Sequence, residues 1–138
     1  MLRMRVSDRK ADFRTLLAAP LVTGPALALL GLSVWTGLSA FSGLREAWEM
    51  PAYFYVGLPI MMAAVSVASF HMPRRIWRWP LWLVAGHQGG VFLVGLGMQS
   101  GLSLIILLLA LAVLLSALFS VPALVGSMVA RRVAQRAY

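Results

Sequence analysis

Residues 102–130 read LSLIILLLALAVLLSALFSVPALVGSMVA, 29 consecutive positions without a charged side chain. About 20 helical residues suffice to cross a hydrocarbon core of roughly 30 Å. A run of this length and purity reads as a membrane span, and the rest of the chain is read outward from it. Three further apolar runs precede it, over about 20–43, 51–72 and 81–99. Hydrophobic residues fill 61% of the 138 positions and charged residues only 12%, with a mean hydropathy of +0.86; soluble domains are about 25% charged. The bilayer is therefore the solvent. The expected fold class is an all-α integral membrane protein, a single domain over 1–138 built as a bundle of four transmembrane helices.

The connections between runs are short: residues 44–50, residues 73–80 and the Ser100-Gly101 pair. They leave no room for a soluble domain, and they make successive helices antiparallel neighbours. Orientation comes from the basic residues near the helix ends. The N-terminal segment carries Arg3, Arg5, Arg9, Lys10 and Arg14, the second connection Arg74, Arg75 and Arg78, and the C-terminal segment Arg131, Arg132 and Arg136. Four crossings put these three segments on one side, and together they hold 11 of the 12 basic residues. The remaining one, Arg45, lies beside Glu46 and Glu49. Both termini are expected in the cytoplasm, in a bacterial inner membrane. The basic stretch before the first run and the small residues of Leu38-Ser39-Ala40 have the look of a signal peptide. The apolar run from Thr15 to Leu44 is far longer than the roughly 7 to 15 residues of a signal h-region, so a retained first helix is expected.

The last run would reach roughly 43 Å as one straight helix, more than a bilayer needs. Pro122 divides it, and Pro20 and Pro25 sit at the corresponding end of the first run, so kinks or interfacial turns are expected there, with a hinge as the functional alternative. Pro59 falls inside the second run, where neighbouring helices can cover the freed carbonyl.

The third run carries the strongest local pattern, Gly86-x-x-x-Gly90 followed by Gly97-x-x-x-Gly101, a set of spacings that lines one side of a helix. Small residues let another backbone approach closely, so these four glycines are the candidate helix-packing residues, with Val91 a neutral control if its side faces lipid. The first run offers two such faces, Gly24, Ala28 and Gly31 on one and Ser33, Gly37 and Ala40 on another; the fourth offers Ala112, Ser116 and Ser120. The second connection interleaves Arg74, Arg75, Trp77, Arg78, Trp79 and Trp82. Indole rings favour the headgroup level and arginines favour anionic lipid, so these six residues are the candidate lipid or partner contacts. Trp48, Tyr53, Phe54 and Tyr55 form the matching aromatic belt on the opposite side.

His71 and His87 are the two histidines, and a pair on adjacent helices raises bis-histidine haem. Their depths disagree: His71 lies in the last turn of the second run, His87 roughly 9 Å inside the third from the same side. An interfacial residue at 71 and an interhelical hydrogen bond at His87 and Gln88 are expected instead, and no cofactor or metal. The chain has no cysteine, which removes disulfides, iron–sulfur clusters and thiolate chemistry. The spans hold no carboxylate, lysine or arginine, whereas ion-coupled transporters and charge-selective pores place such groups inside. Small multidrug transporters rely on a glutamate in the first helix, and four-helix mercury carriers or disulfide-oxidising membrane proteins on cysteine pairs; this chain departs from both. No catalytic set converges, so no enzyme is expected.

The reading that remains is a non-catalytic inner-membrane protein, an accessory, assembly or regulatory subunit of a membrane complex. A small oligomeric transporter or channel is the alternative, and an immunity or exclusion type of membrane protein a second. The expected partners are membrane lipids, anionic headgroups included, and other membrane chains or the chain itself, but not nucleic acid. Reporters fused after Met50 and after Ser100 are expected to read the periplasm, and fusions after Arg75 and at Tyr138 the cytoplasm. A periplasmic C-terminus would mean an odd number of spans and would contradict the topology.

Overall fold

The computed structural model describes residues 20–43, 47–95 and 102–136, all of them helix or the turns between helices. Four helices pack as a bundle. The first, α1, is Pro20–Ser42. The second, α2, is Leu58–His71, entered through a wide π-helical turn at Tyr53–Gly57. The third, α3, is Arg78–Gly95, and the fourth, α4, is Leu102–Arg136. Three stretches are long and apolar enough to cross a membrane: Leu21–Ser42, Tyr53–His71 and Ile105–Arg136. The exception is α3, whose 18 residues include an arginine, a histidine and a glutamine.

The helix ends follow local chemistry. Gly43, at a φ of 65°, takes the left-handed conformation that closes a helix without a Cβ penalty. A short 3-10 turn at Ala47–Glu49 then leads toward α2. At the other end of α2, the Met72 amide donates to the Ala68 carbonyl at 3.0 Å, and the turn Pro73–Arg75 reverses the chain. Residues 73–80 are expected from sequence to form a connection, yet Arg78, Trp79 and Pro80 form the first turn of α3. Proline is at home there, because first-turn amides have no intrahelical acceptor to lose.

Neither Pro25 nor Pro122 ends its helix: α1 and α4 each continue through their proline. A neighbour engages the backbone at Pro122, where Ser66 Oγ of α2 donates to the proline's own carbonyl at 3.0 Å. Other hydroxyls turn back on their own helix, Thr36 to the Leu32 carbonyl and Ser120 to the Ser116 carbonyl, which satisfies them within an apolar segment.

The bundle is built from two tight pairs, α1 with α3 and α2 with α4, not from sequence neighbours as the short connections implied. Glycine explains the pairing. A Cβ on Gly86 would land on the backbone of Ala28, and one on Gly31 would strike the Leu83 carbonyl and come within 2.8 Å of the His87 amide nitrogen. A Cβ on Gly90 would come within 3.0 Å of Trp35 Cβ and 3.2 Å of the Leu32 carbonyl. These contacts advance in the same sense along both helices, so α1 and α3 run parallel and touch backbone to backbone. The second pair uses one glycine, Gly126, whose Cβ would strike the Ser66 carbonyl.

Between the pairs lies a core of Leu27, Trp35, Met61, Val65, Leu83 and Phe119, joined by Val91. Val91 at 9% exposure faces this core, so the neutral control expected there does not exist. Gly97 and Gly101, the second half of the glycine pattern, lie outside the described residues.

Candidate functional site

Buried polar groups in a bilayer have no water to fall back on, so their partners define the interior. One such group joins three helices. Tyr53 Oη and His87 Nε2 stand 2.8 Å apart in a buried hydrogen bond. Trp35 closes the cluster from α1, its ring edge-on to His87 with centroids 5.0 Å apart and edge-on to Tyr53 at 6.0 Å. His87 is 0% exposed, Trp35 1% and Tyr53 5%. When the tyrosine hydroxyl donates, Nε2 accepts and the ring proton sits on Nδ1, which has no hydrogen-bond partner among the described residues.

The π-helical turn is what aims Tyr53 inward. The buried positions on this segment include a row spaced by four, Tyr53, Gly57, Met61, Val65 and Ser69, joined at its end by Ala68. In a regular helix a spacing of four drifts by about 40° per step, so such a row would leave the core. The wider turn takes up part of that drift. It ends two residues before Pro59, which has no amide for the Tyr55 carbonyl and would press on it in a regular turn. Gly57 completes the arrangement, since a Cβ there would come within 2.9 Å of Val34 Cγ1.

This placement corrects the aromatic belt, because Phe54 and Tyr55 face outward while Tyr53 does not. The two histidines do not converge. His71 is exposed at the end of α2, its ring edge-on to Phe70, while His87 is enclosed with Tyr53. His87 makes the interhelical hydrogen bond expected of it, whereas both amide atoms of Gln88 are buried without a partner among the described residues.

The basic and aromatic residues divide at the turn between α2 and α3. Arg75, Trp77 and Trp82 are exposed, and Arg78 is half-buried with its guanidinium 6.0 Å from the Trp77 ring centroid. Trp79 departs from the expected set: it is 2% exposed, and its indole nitrogen donates to the Met72 carbonyl at 3.5 Å. Trp79 therefore fastens the turn to α3. Arg74 begins no helix and lies within the turn Pro73–Arg75.

A third feature is a vacant face. The Gly24, Ala28 and Gly31 side of α1 is spent on α3, but Ser33, Gly37 and Ala40 are exposed, and a Cβ on Gly37 would meet nothing within 4 Å. Comparison with protein-family models, with characterised proteins and with solved structures finds no match to this chain.

Tyr53→Phe keeps the ring and removes the hydroxyl, leaving both His87 nitrogens unpaired. It is expected to lower the unfolding free energy by about 0.6 to 2 kcal/mol, the range for interhelical hydrogen bonds in lipid. In a His87→Ala background the same change should cost little. Equal costs in both backgrounds would mean that the two side chains are not coupled.

Proposed function

We propose that this chain spans the bacterial cytoplasmic membrane four times with both termini inside, and serves as a non-catalytic accessory, assembly or regulatory subunit that binds the spans of another chain. The exposed Ser33, Gly37 and Ala40 face of α1 carries the reading. In lipid, helices gain nothing by hiding apolar surface from each other, so association depends on close van der Waals contact and interhelical hydrogen bonds. Small residues permit that contact, and this face has no neighbour among the described residues. The occupant it fits is a single transmembrane helix that also presents small residues.

Crossing by α3 is supported by the direction of its polar groups. Its histidine is turned inward, while Leu81, Trp82, Phe92 and Leu93 form its exposed surface. At 18 residues it reaches about 27 Å, close to the thickness of the hydrocarbon core. Orientation rests on the basic residues, 11 of 12 of which lie in the three segments assigned to the cytoplasm. The alternative of a transporter needs a path, and the centre of a single bundle is filled by Trp35, Met61, Leu83 and Phe119. Catalysis is disfavoured by the enclosure of Tyr53 and His87, with Tyr53 Oη and His87 Nε2 directed at each other.

Gly37→Ile discriminates, since a Cβ at this position meets no described atom within 4 Å. Its thermal unfolding in mild detergent is expected to match the wild type. Retention of the partner chain purified from native membranes should fall, with a penalty of about 1 to 3 kcal/mol from overpacking at the contact. Undiminished retention by Gly37→Ile would remove this face as the binding surface, and a wild-type chain that brings no partner would contradict the subunit reading.

A further inference from the structure

At the end of the bundle where α3 begins, α1 and α3 enclose a cavity of about 350 Å³ lined by Leu21, Pro25, Arg75, Arg78, Trp79 and Trp82. The wall on the α1 side is apolar, and the opposite wall carries two guanidiniums. Trp82 is seated by a glycine: a Cβ on Gly24 would lie 2.8 Å from the indole, so the ring rests directly on the α1 backbone. Arg78 is braced by the neighbouring Trp77 ring. Neither arginine has an acidic partner among the described residues, because the single carboxylate there, Glu49, follows the far end of α1. Pro25 adds an acceptor, since it has no amide for the Leu21 carbonyl, and Leu21 sits exposed at the cavity edge.

The cavity continues into the lipid-facing surface. Arg78 and Trp82 also line a second hollow with Leu81 and Ala85. Leu81 and Ala85 in turn line a third, of about 550 Å³, that runs between α3 and α4 past Ala112 and Val113. The three hollows adjoin around the outer side of α3, through Arg78 and Trp82 and then through Leu81 and Ala85, as a shallow furrow that is cationic and aromatic at the bundle end and mainly apolar beyond it. A free anion would use only the first part; a phospholipid uses all of it.

We propose that this furrow binds one anionic phospholipid, its phosphodiester between Arg75 and Arg78 and an acyl chain along Leu81 and Ala85. Two guanidiniums provide several forked donors for phosphate oxygens. Trp77 and Trp82 hold the headgroup level, where indoles are favoured. The site rests on the membrane placement of the bundle and is independent of any protein partner, so failure of one proposal leaves the other intact.

The test uses the purified full-length chain in non-ionic detergent, titrated with dioleoyl phosphatidylglycerol or dioleoyl phosphatidylcholine and read by native mass spectrometry. One phosphatidylglycerol per chain should be retained in preference to phosphatidylcholine. Arg75→Gln with Arg78→Gln should weaken retention roughly tenfold or more, as loss of two charges near a lipid headgroup implies. Arg131→Gln with Arg132→Gln, a change of equal charge on the exposed end of α4, should alter it less than twofold. Ala85→Phe, which fills the furrow and keeps every charge, should weaken it several-fold. Equal retention of the two lipids, equal loss in both arginine pairs, no effect of Ala85→Phe, or displacement by millimolar inorganic phosphate would each overturn the proposal.

Discussion

Everything in this bundle depends on how closely the backbones of α1 and α3 approach. In water two apolar helices are driven together by the surface they hide; in lipid that drive is absent, and contact must come from interlocking surfaces. Gly31 and Gly86 supply it, each lying where a methyl group would collide with the opposite backbone. Only glycine fits both positions, so the register of the pair is fixed to within a residue. With that register set, Trp35 comes to lie on Gly90 and Trp82 on Gly24, large rings on the smallest residue.

The same register positions His87 for its partner. It lies one residue beyond Gly86 on α3, against the backbone of Gly31, and is thereby aimed at Tyr53 across the bundle. The hydrogen bond ties α2 to a pair it otherwise touches lightly, and the wide turn before Pro59 brings the tyrosine into range. The interior is thus closed around the Tyr53–His87 pair, with His87 Nδ1 and the Gln88 amide buried beside it and without a partner among the described residues. Both proposed activities consequently lie on the outside, one on the unused face of α1 and the other in the furrow that begins at Arg75 and Arg78.

Much of this was legible in the sequence, and the reasons for the rest are physical. Hydropathy finds long runs because a lipid-facing helix must be apolar around most of its circumference, which is why α4 could be read from residues 102–130. The same uniformity hides which side faces inward, since Leu and Val serve both environments, and so the sequence left the facing of Val91 open. The glycines of α3 could be picked out by spacing because close approach tolerates few residue types. Gly126 stands alone and gives no such pattern, although it sits at the α2–α4 contact. Tyr53 was read as part of an interfacial belt because aromatic residues cluster there; the four-residue recurrence through Gly57 and Met61 was the available signal, but it has meaning only once a wide turn is known. Trp79 was grouped with its arginine and tryptophan neighbours, and the proline that places it in the first helical turn lies one position further on.

The most direct measurement of the α1–α3 register is cysteine crosslinking in native membranes, for which a chain without cysteine is well suited. A Cβ on Gly89 would lie 3.9 Å from Leu32 Cδ1, whereas Ser33 is exposed on α1 about 100° further round. With a short bis-methanethiosulfonate reagent, Leu32→Cys paired with Gly89→Cys should link within the chain in high yield, and Ser33→Cys paired with Gly89→Cys should not. Equal linking of the two pairs, or none for Leu32→Cys with Gly89→Cys, would contradict the backbone contact on which the account rests.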